Sequence, residues 1–454
     1  MDETSLRGEL ERALADEPPL GTIVGRSLRA GRKLRRRRRA GLAALCAAAV
    51  AVVIAVPTVL SGAGKPAPAA VAARPGVART AYVAVGADTV VPVNTTTDAV
   101  GPPIKGLPAG LLLRGFPTSA ASSPDRQTVY EVGTTTDGNG VVVPIDTATK
   151  RAGRPITLSA PCVPGSSVRL SSCFVYPADI AIDPNGKTGY VSYNGGVFPI
   201  NLARKTAGKP ISIPCDCRAM AFTPDGNTLY VLKSVPGSGV GQTAYATPTL
   251  TPIRTETNKA LAPIRLPIKN LASGVAITPD GKTAYVVAGM GGNPYDNSVI
   301  PVDLATNRAL APIRLKARGQ AARLVISPGG GTAYVVSARA VTPINTATNK
   351  AGPPINLPDR DGLAQDIVLT ASGKTIYALT PRGIVPIRAA SRTVLPIISI
   401  PDIFEAGLTL FAITPDGRTV YILTDAGVLP ISTATNTAGP LIKLAAAGSI
   451  TFAR

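Results

Sequence analysis

Histidine is absent from the 454-residue chain, and so is tryptophan. The first absence removes Ser-His-Asp and Cys-His catalysis and every histidine-ligated metal site. Aromatic residues are only 4% of the chain, too few for the ring-lined groove that holds a single nucleic-acid strand, so nucleic acid is not an expected partner. Acids are scarce beside bases: 27 Asp and Glu face 47 Lys and Arg, a net charge of +20. That excess favours anionic partners. What the chain has in quantity is glycine (45), proline (43) and apolar residues (45%), enough to bury a large core if the glycines and prolines fall at turns.

They do fall at turns, because the chain repeats. Gly274 to Val287, with Ser298–Asp303 and Leu310–Leu315 after it, reads as four short strands: an apolar strand, a Thr-Pro-Asp-Gly turn, a strand around Tyr-Val, a Val-x-Pro-Ile strand and a Pro-Ile-x-Leu strand. Four strands recurring every 40 to 60 residues or so mark a β-propeller. The second-strand tyrosines are Tyr82, Tyr130, Tyr190, Tyr230, Tyr285, Tyr334, Tyr377 and Tyr421, and the third- and fourth-strand prolines also number eight each. The fold expected is all-β with eight blades, or seven if one copy is degenerate. The first unit starts at its second strand, Thr80-Ala-Tyr-Val83, and Ser449-Ile-Thr-Phe452 matches the missing first strand, so the C-terminus is expected to close the ring. The missing tryptophan speaks against propellers of the WD type and against tryptophan-docked blades.

Upstream of the repeats the composition changes. Residues 1–39 form a basic tail that ends in Arg32-Lys-Leu-Arg-Arg-Arg-Arg-Arg39, and Ala40–Leu60 is an uncharged apolar run. About 20 such residues span a hydrocarbon core, and the arginines before it place the N-terminus in the cytoplasm. The expected organisation is a cytoplasmic tail (1–39), one transmembrane helix (40–60), a Gly/Ala/Pro-rich linker (61–78) and an extracytoplasmic propeller (79–454). A cleaved signal peptide ending near Ala70 is the rival reading.

Pro-Asp-Gly-x-Thr-x-Tyr-Val followed by Ile-Asn/Asp-x-Ala-Thr-Asn resembles the YVTN family of propeller repeats. The best copies are Thr283-Ala-Tyr-Val286, Thr332-Ala-Tyr-Val335, Ile344-Asn-Thr-Ala-Thr-Asn349 and Ile431-Ser-Thr-Ala-Thr-Asn436. The resemblance implies an extracytoplasmic propeller. Some relatives are similar to lactonases or to histidine-using streptogramin lyases, and with no histidine here neither activity transfers to named residues.

Spacing separates two faces. The first-to-second and third-to-fourth strand turns keep nearly constant lengths, whereas the other two connections vary widely and share the opposite face. A rigid scaffold with one variable face suits binding. The longest variable loops, Lys233–Pro248 and Ala288–Asn297, carry Tyr245 and Tyr295 as candidate contacts. Cys162, Cys173, Cys215 and Cys217 lie in two neighbouring variable loops; in an oxidising compartment they are expected to hold at least one disulfide, with a four-cysteine zinc site as the rival. No catalytic residue, metal ligand or cofactor is assigned. The leading expectation is a non-catalytic, membrane-anchored propeller that binds a protein or anionic envelope polymer. An extracytoplasmic lactonase or hydrolase working through carboxylates and arginines at the channel, and a transmembrane signalling protein acting through its tail, are the alternatives.

Overall fold

The computed structural model describes residues 80–453, apart from 114–119, 160–174, 214–216, 234–246, 269–270, 291–296, 359–363, 401–409 and positions 87, 176, 194, 318, 425 and 446. The expected tail, span and linker lie outside the described residues, and so do Tyr245, Tyr295, Cys162, Cys173 and Cys215. Among the described residues there is no helix, and none therefore long and apolar enough to cross a membrane.

The strands form eight antiparallel sheets, one per predicted repeat. Blade five is representative. Its inner strand Leu271–Ile277 pairs with Thr283–Met290, which pairs with Ser298–Asp303, and two short pieces, Arg308–Ala309 and Ile313–Arg314, complete the outer edge. Second and third strands are buried on both faces, so Thr332–Ser337 and Ala340–Asn345 read as nearly unbroken apolar runs rather than alternating ones. The core is correspondingly divided into eight clusters, each lying between two neighbouring blades.

Ring closure follows the sequence reading. The C-terminal strand Ala447–Ala453 pairs with Thr80–Val85, placing Thr451 opposite Tyr82, and so provides the inner strand of blade one. Phe452 then packs with Tyr421 of blade eight at a ring separation of 6.1 Å. First and last blades are thereby joined by non-covalent contacts from both ends of the domain.

The third-strand proline, awkward in a strand with two neighbours, has a physical account. In blade three, Pro199 accepts a hydrogen bond from Gly208 N at 2.7 Å, so its missing N–H also faces the outer strand. That strand is bulged there: Ile200 pairs with Ala207 and Val197 with Ile211, so three steps on one strand meet four on the other. The bulge sits where the proline has no donor to offer, and Pro210 lies within it. Blades two and four to eight repeat the same register. Glycine is not obligatory at the donor position: Leu261, Leu310 and Leu395 make the same bond to Pro252, Pro301 and Pro386.

The Pro-Asp-Gly turns are structural. Gly281 takes φ +69° and donates its N–H to Thr278 O, while Thr278 Oγ1 donates to Asp280 Oδ1 at 2.6 Å. The aspartate is occupied in holding its own turn, as also at Asp225 and Asp416.

Candidate binding surface

The repeated tyrosine and the repeated Thr-Asn are one device. Each third-to-fourth strand hairpin ends in a residue with φ between +52° and +57°: Asp98, Lys150, Lys205, Asn258, Asn307, Asn349, Arg392 and Asn436. Asparagine tolerates this left-handed conformation better than most residues. Held there, its side chain reaches the preceding blade. Tyr190 donates to Asn258 Oδ1 (2.6 Å), Tyr230 to Asn307 (2.9 Å), Tyr285 to Asn349 (2.6 Å) and Tyr377 to Asn436 (2.7 Å). Tyr421 closes the circle on Asp98 of blade one at 3.1 Å, and Tyr82 donates to the Thr147 carbonyl. Lys205 and Arg392 offer no acceptor to Tyr130 and Tyr334, and these two are the most exposed of the eight rings, at 5% and 8% against 0–2% elsewhere.

Burial pushes the hydroxyls of Tyr82, Tyr190, Tyr230, Tyr285 and Tyr377 up to about 12. Tyr421 is also raised, by burial first and then by Asp98. An unfolded tyrosine releases its proton near pH 10 while these folded ones keep theirs, so the tyrosines' contribution to stability is constant below about pH 10 and is lost between about 10 and 12. A circular-dichroism titration is expected to lose sheet signal together with phenolate appearance across that window. Phenolate absorbance completed at pH 10 with the sheets intact would contradict the clasps.

A few buried polar groups depart from the repeat. Arg323 Nε lies 3.0 Å from Asp366 Oδ1 across the inner strands of blades six and seven, and burial raises the Asp366 carboxyl despite that arginine. Asp179 and Ser192 face each other across blade three, both buried. Asn297 donates to Ala317 O and Ser337 Oγ. Glu131 is fully buried in the second strand of blade two; Ser449 Oγ donates to its Oε2 at 3.4 Å, Oε1 has no partner, and desolvation pushes the carboxyl up to about 8. No cluster of three potential metal ligands occurs among the described residues.

The densest charge lies on the outside. Counted from the left-handed residue through the Pro-Ile-x-Leu stretch, the eight outer strands carry thirteen Lys and Arg and a single acid, Asp98. All thirteen cations are exposed, and among the described residues none makes an ion pair. They run round the rim as Lys105, Lys150, Arg151, Arg154, Lys205, Lys209, Lys259, Arg265, Arg308, Arg314, Lys350, Arg392 and Lys443. Between blades two and three the belt dips into a shallow cleft of about 200 Å³ lined by Arg151, Lys205, Asp146, Thr128 and Thr149. Asp146 is held low by hydrogen bonds from the Thr149 N–H and hydroxyl, with a smaller contribution from Lys205.

Of the candidate contact tyrosines and disulfide cysteines, only Cys217 lies among the described residues. It is disulfide-bonded and buried at the start of its inner strand. The belt was missed although its signal was present: a basic residue follows the left-handed position in blades two, four, five and six.

No protein-family model matches the chain, and no curated protein sequence matches it. Solved structures do. Hydrazine synthase of Kuenenia stuttgartiensis is similar at 19% identity and a TM-score of 0.51, covering 70% of this chain and 96% of that one. Dihydro-heme d1 dehydrogenase NirN, in complex with DHE, is similar at 13% identity and a TM-score of 0.59, covering 82% of this chain and 75% of that one. At such identities the likeness is one of fold: the chain is an eight-bladed β-propeller.

Proposed function

We propose that this chain is a binding scaffold, held outside the cytoplasm on a single N-terminal span, whose basic rim engages an anionic envelope polymer. One observation carries the reading: thirteen exposed cations, with no ion pair among the described residues, against one acid on the outer strands. Lysine on an edge strand also deters edge-to-edge pairing, but that purpose does not need arginines and lysines on all eight blades. The bulged, proline-bearing edge already prevents it. A polyanion laid along the rim would meet a positive side chain at every blade and gain from counterion release. The span rests on the Arg32–Arg39 run and the apolar residues after it.

With inorganic polyphosphate as the probe, binding to the purified chain is expected to weaken steeply as salt rises. The triple change Lys259→Gln, Arg308→Gln, Lys350→Gln should weaken it further and flatten the log–log salt slope by roughly one per lost contact. Its melting temperature should match the parent's, because exposed substitutions move stability little. Binding indifferent to salt and to this triple change would remove the proposal.

A second reading, a hydrolase centred on the channel, draws on the buried Arg323–Asp366 pair on the inner strands of blades six and seven. Lactone hydrolysis that Asp366→Asn abolishes would favour it over the scaffold.

A further inference from the structure

Glu131 is out of place. The residue after the second-strand tyrosine is Val83, Val191, Val231, Val286, Val335, Ala378 or Ile422 in the other seven blades. Every one is apolar, because the position faces the preceding blade inside a seam. Here a carboxyl takes it, fully buried, with Val129 and Val143 beside it on the same face of the sheet. Its one polar contact among the described residues is Ser449, carried by the C-terminal strand that closes the ring.

We propose that closure of the ring is proton-linked: neutral Glu131 latches the C-terminal strand through Ser449, and its ionisation loosens that strand from the blade one–blade two seam.

Among the described residues, the surroundings offer nothing beyond Ser449 to stabilise a carboxylate. The C-terminal strand presents Ser449 and no titratable group. Thr80–Val85 presents Tyr82, itself held neutral by burial. Leu111–Leu112, Ala120–Ser122 and Gly140–Val143 bring no charge, and Asp146 lies at the far, turn end of its strand. From blade three, Asp179 shares its sheet face with Ala181 and Tyr190, whose hydroxyl reaches blade four, so it is turned away from Glu131. A buried carboxylate without a cation or a second donor is strongly disfavoured. The neutral acid can place its proton on Oε2 and donate to Ser449 Oγ, leaving only a carbonyl-like Oε1 without a partner. Ionised, the same group sets an uncompensated charge against the strand on which the ring's closure depends. The raised carboxyl agrees with this geometry.

The sign follows from linkage. Between the ordinary glutamate range and about pH 8 the folded chain keeps a proton that the open chain releases, so closure weakens as pH rises through that window and levels off above it. Asp183 and Asp366, also raised by burial, add pH dependence of the same sign but are unchanged in a Glu131 variant.

The test compares the full chain with Glu131→Gln and Glu131→Val at pH 5.5, 6.5 and 7.5, by denaturant unfolding and by amide hydrogen exchange. Relative to either variant, the parent's closed-to-open ratio should fall by up to about tenfold per pH unit. Extra exchange should concentrate in Thr80–Val85 and Ala447–Ala453. Glu131→Val restores the residue type of the other seams, so it carries the comparison if the glutamine variant folds poorly. Parallel pH profiles for parent and variants would overturn the proposal. So would a difference in exchange spread evenly over all eight blades, because that is the pattern of a buried charge with no bearing on the latch.

Discussion

A chain truncated after Leu444 is expected not to form a stable ring. The deletion removes the whole inner strand of blade one and with it the pairing from Thr80 to Val85. Tyr82 and Val83, both 0% exposed, would then border an unpaired edge that faces the channel rather than solvent. The seam between blades eight and one loses Phe452, which packs among Ala81, Val83, Val93, Tyr421 and Val428. Phe452→Ala alone should cost about 3–5 kcal/mol, on the scale of aromatic truncations in cores. The full deletion adds the lost strand pairing and the loss of closure, so its effect exceeds that figure. An unpaired, apolar, central strand also invites pairing with a second chain. Size-exclusion chromatography should find aggregate where the parent is monodisperse, and thermal melts should show no cooperative transition near the parent's. A truncated chain that elutes and melts like the parent would refute the closure.

The sequence was informative in proportion to how strictly a residue's place in the repeat determined its surroundings. Eight tyrosines and eight prolines gave the blades because each second-strand tyrosine stands opposite a third-strand proline in every copy. The C-terminal strand was identifiable for the same reason: Phe452 follows Pro440 by the interval that separates Phe222 from Pro210. Two features escaped because they are relations between blades. The asparagine of Ala-Thr-Asn is separated from its tyrosine by up to 77 residues, as with Tyr230 and Asn307, and only their spatial adjacency reveals the bond. Glu131 is visible as an exception only once the eight strands are aligned by their tyrosines and the face toward the neighbouring blade is known. The basic belt escaped for a different reason. Charge divided between residues 1–39 and the rest of the chain averages over strands, whereas the excess is concentrated on the outer strands of the blades. Tyr245, Tyr295, Cys162, Cys173 and Cys215 are positions to which the repeat assigns no geometry, whereas Cys217 opens an inner strand.

The clasps yield the second large effect. Tyr285→Ala removes a ring that is 0% exposed and packs with Val287, Val299, Ile313 and Leu315 of its own blade and with Ala321, Ala333 and Val335 of the next, and the loss should be about 3–5 kcal/mol. Tyr285→Phe keeps the ring and deletes only the hydroxyl that serves Asn349 and the Thr346 carbonyl, so about 1 kcal/mol is expected. The converse experiment exists in the same molecule. Lys205 and Arg392 occupy the left-handed position without an acceptor, opposite Tyr130 and Tyr334. Lys205→Asn and Arg392→Asn each supply a residue better suited to φ near +55° and an oxygen for the waiting hydroxyl, and each should stabilise by about 1 kcal/mol. They also remove a rim cation, Lys205 from the cleft itself. Under the proposed function, melting temperature and polyanion affinity should therefore move in opposite directions at these two seams: stability up, binding down. Denaturant melts and salt-resolved binding on Lys205→Asn, Arg392→Asn and their double measure both at once. If either substitution destabilises the chain, the asparagine clasp is not what sets the packing of the neighbouring tyrosine; if both stabilise it and leave binding unchanged, the cations at these seams serve only the surface of the fold.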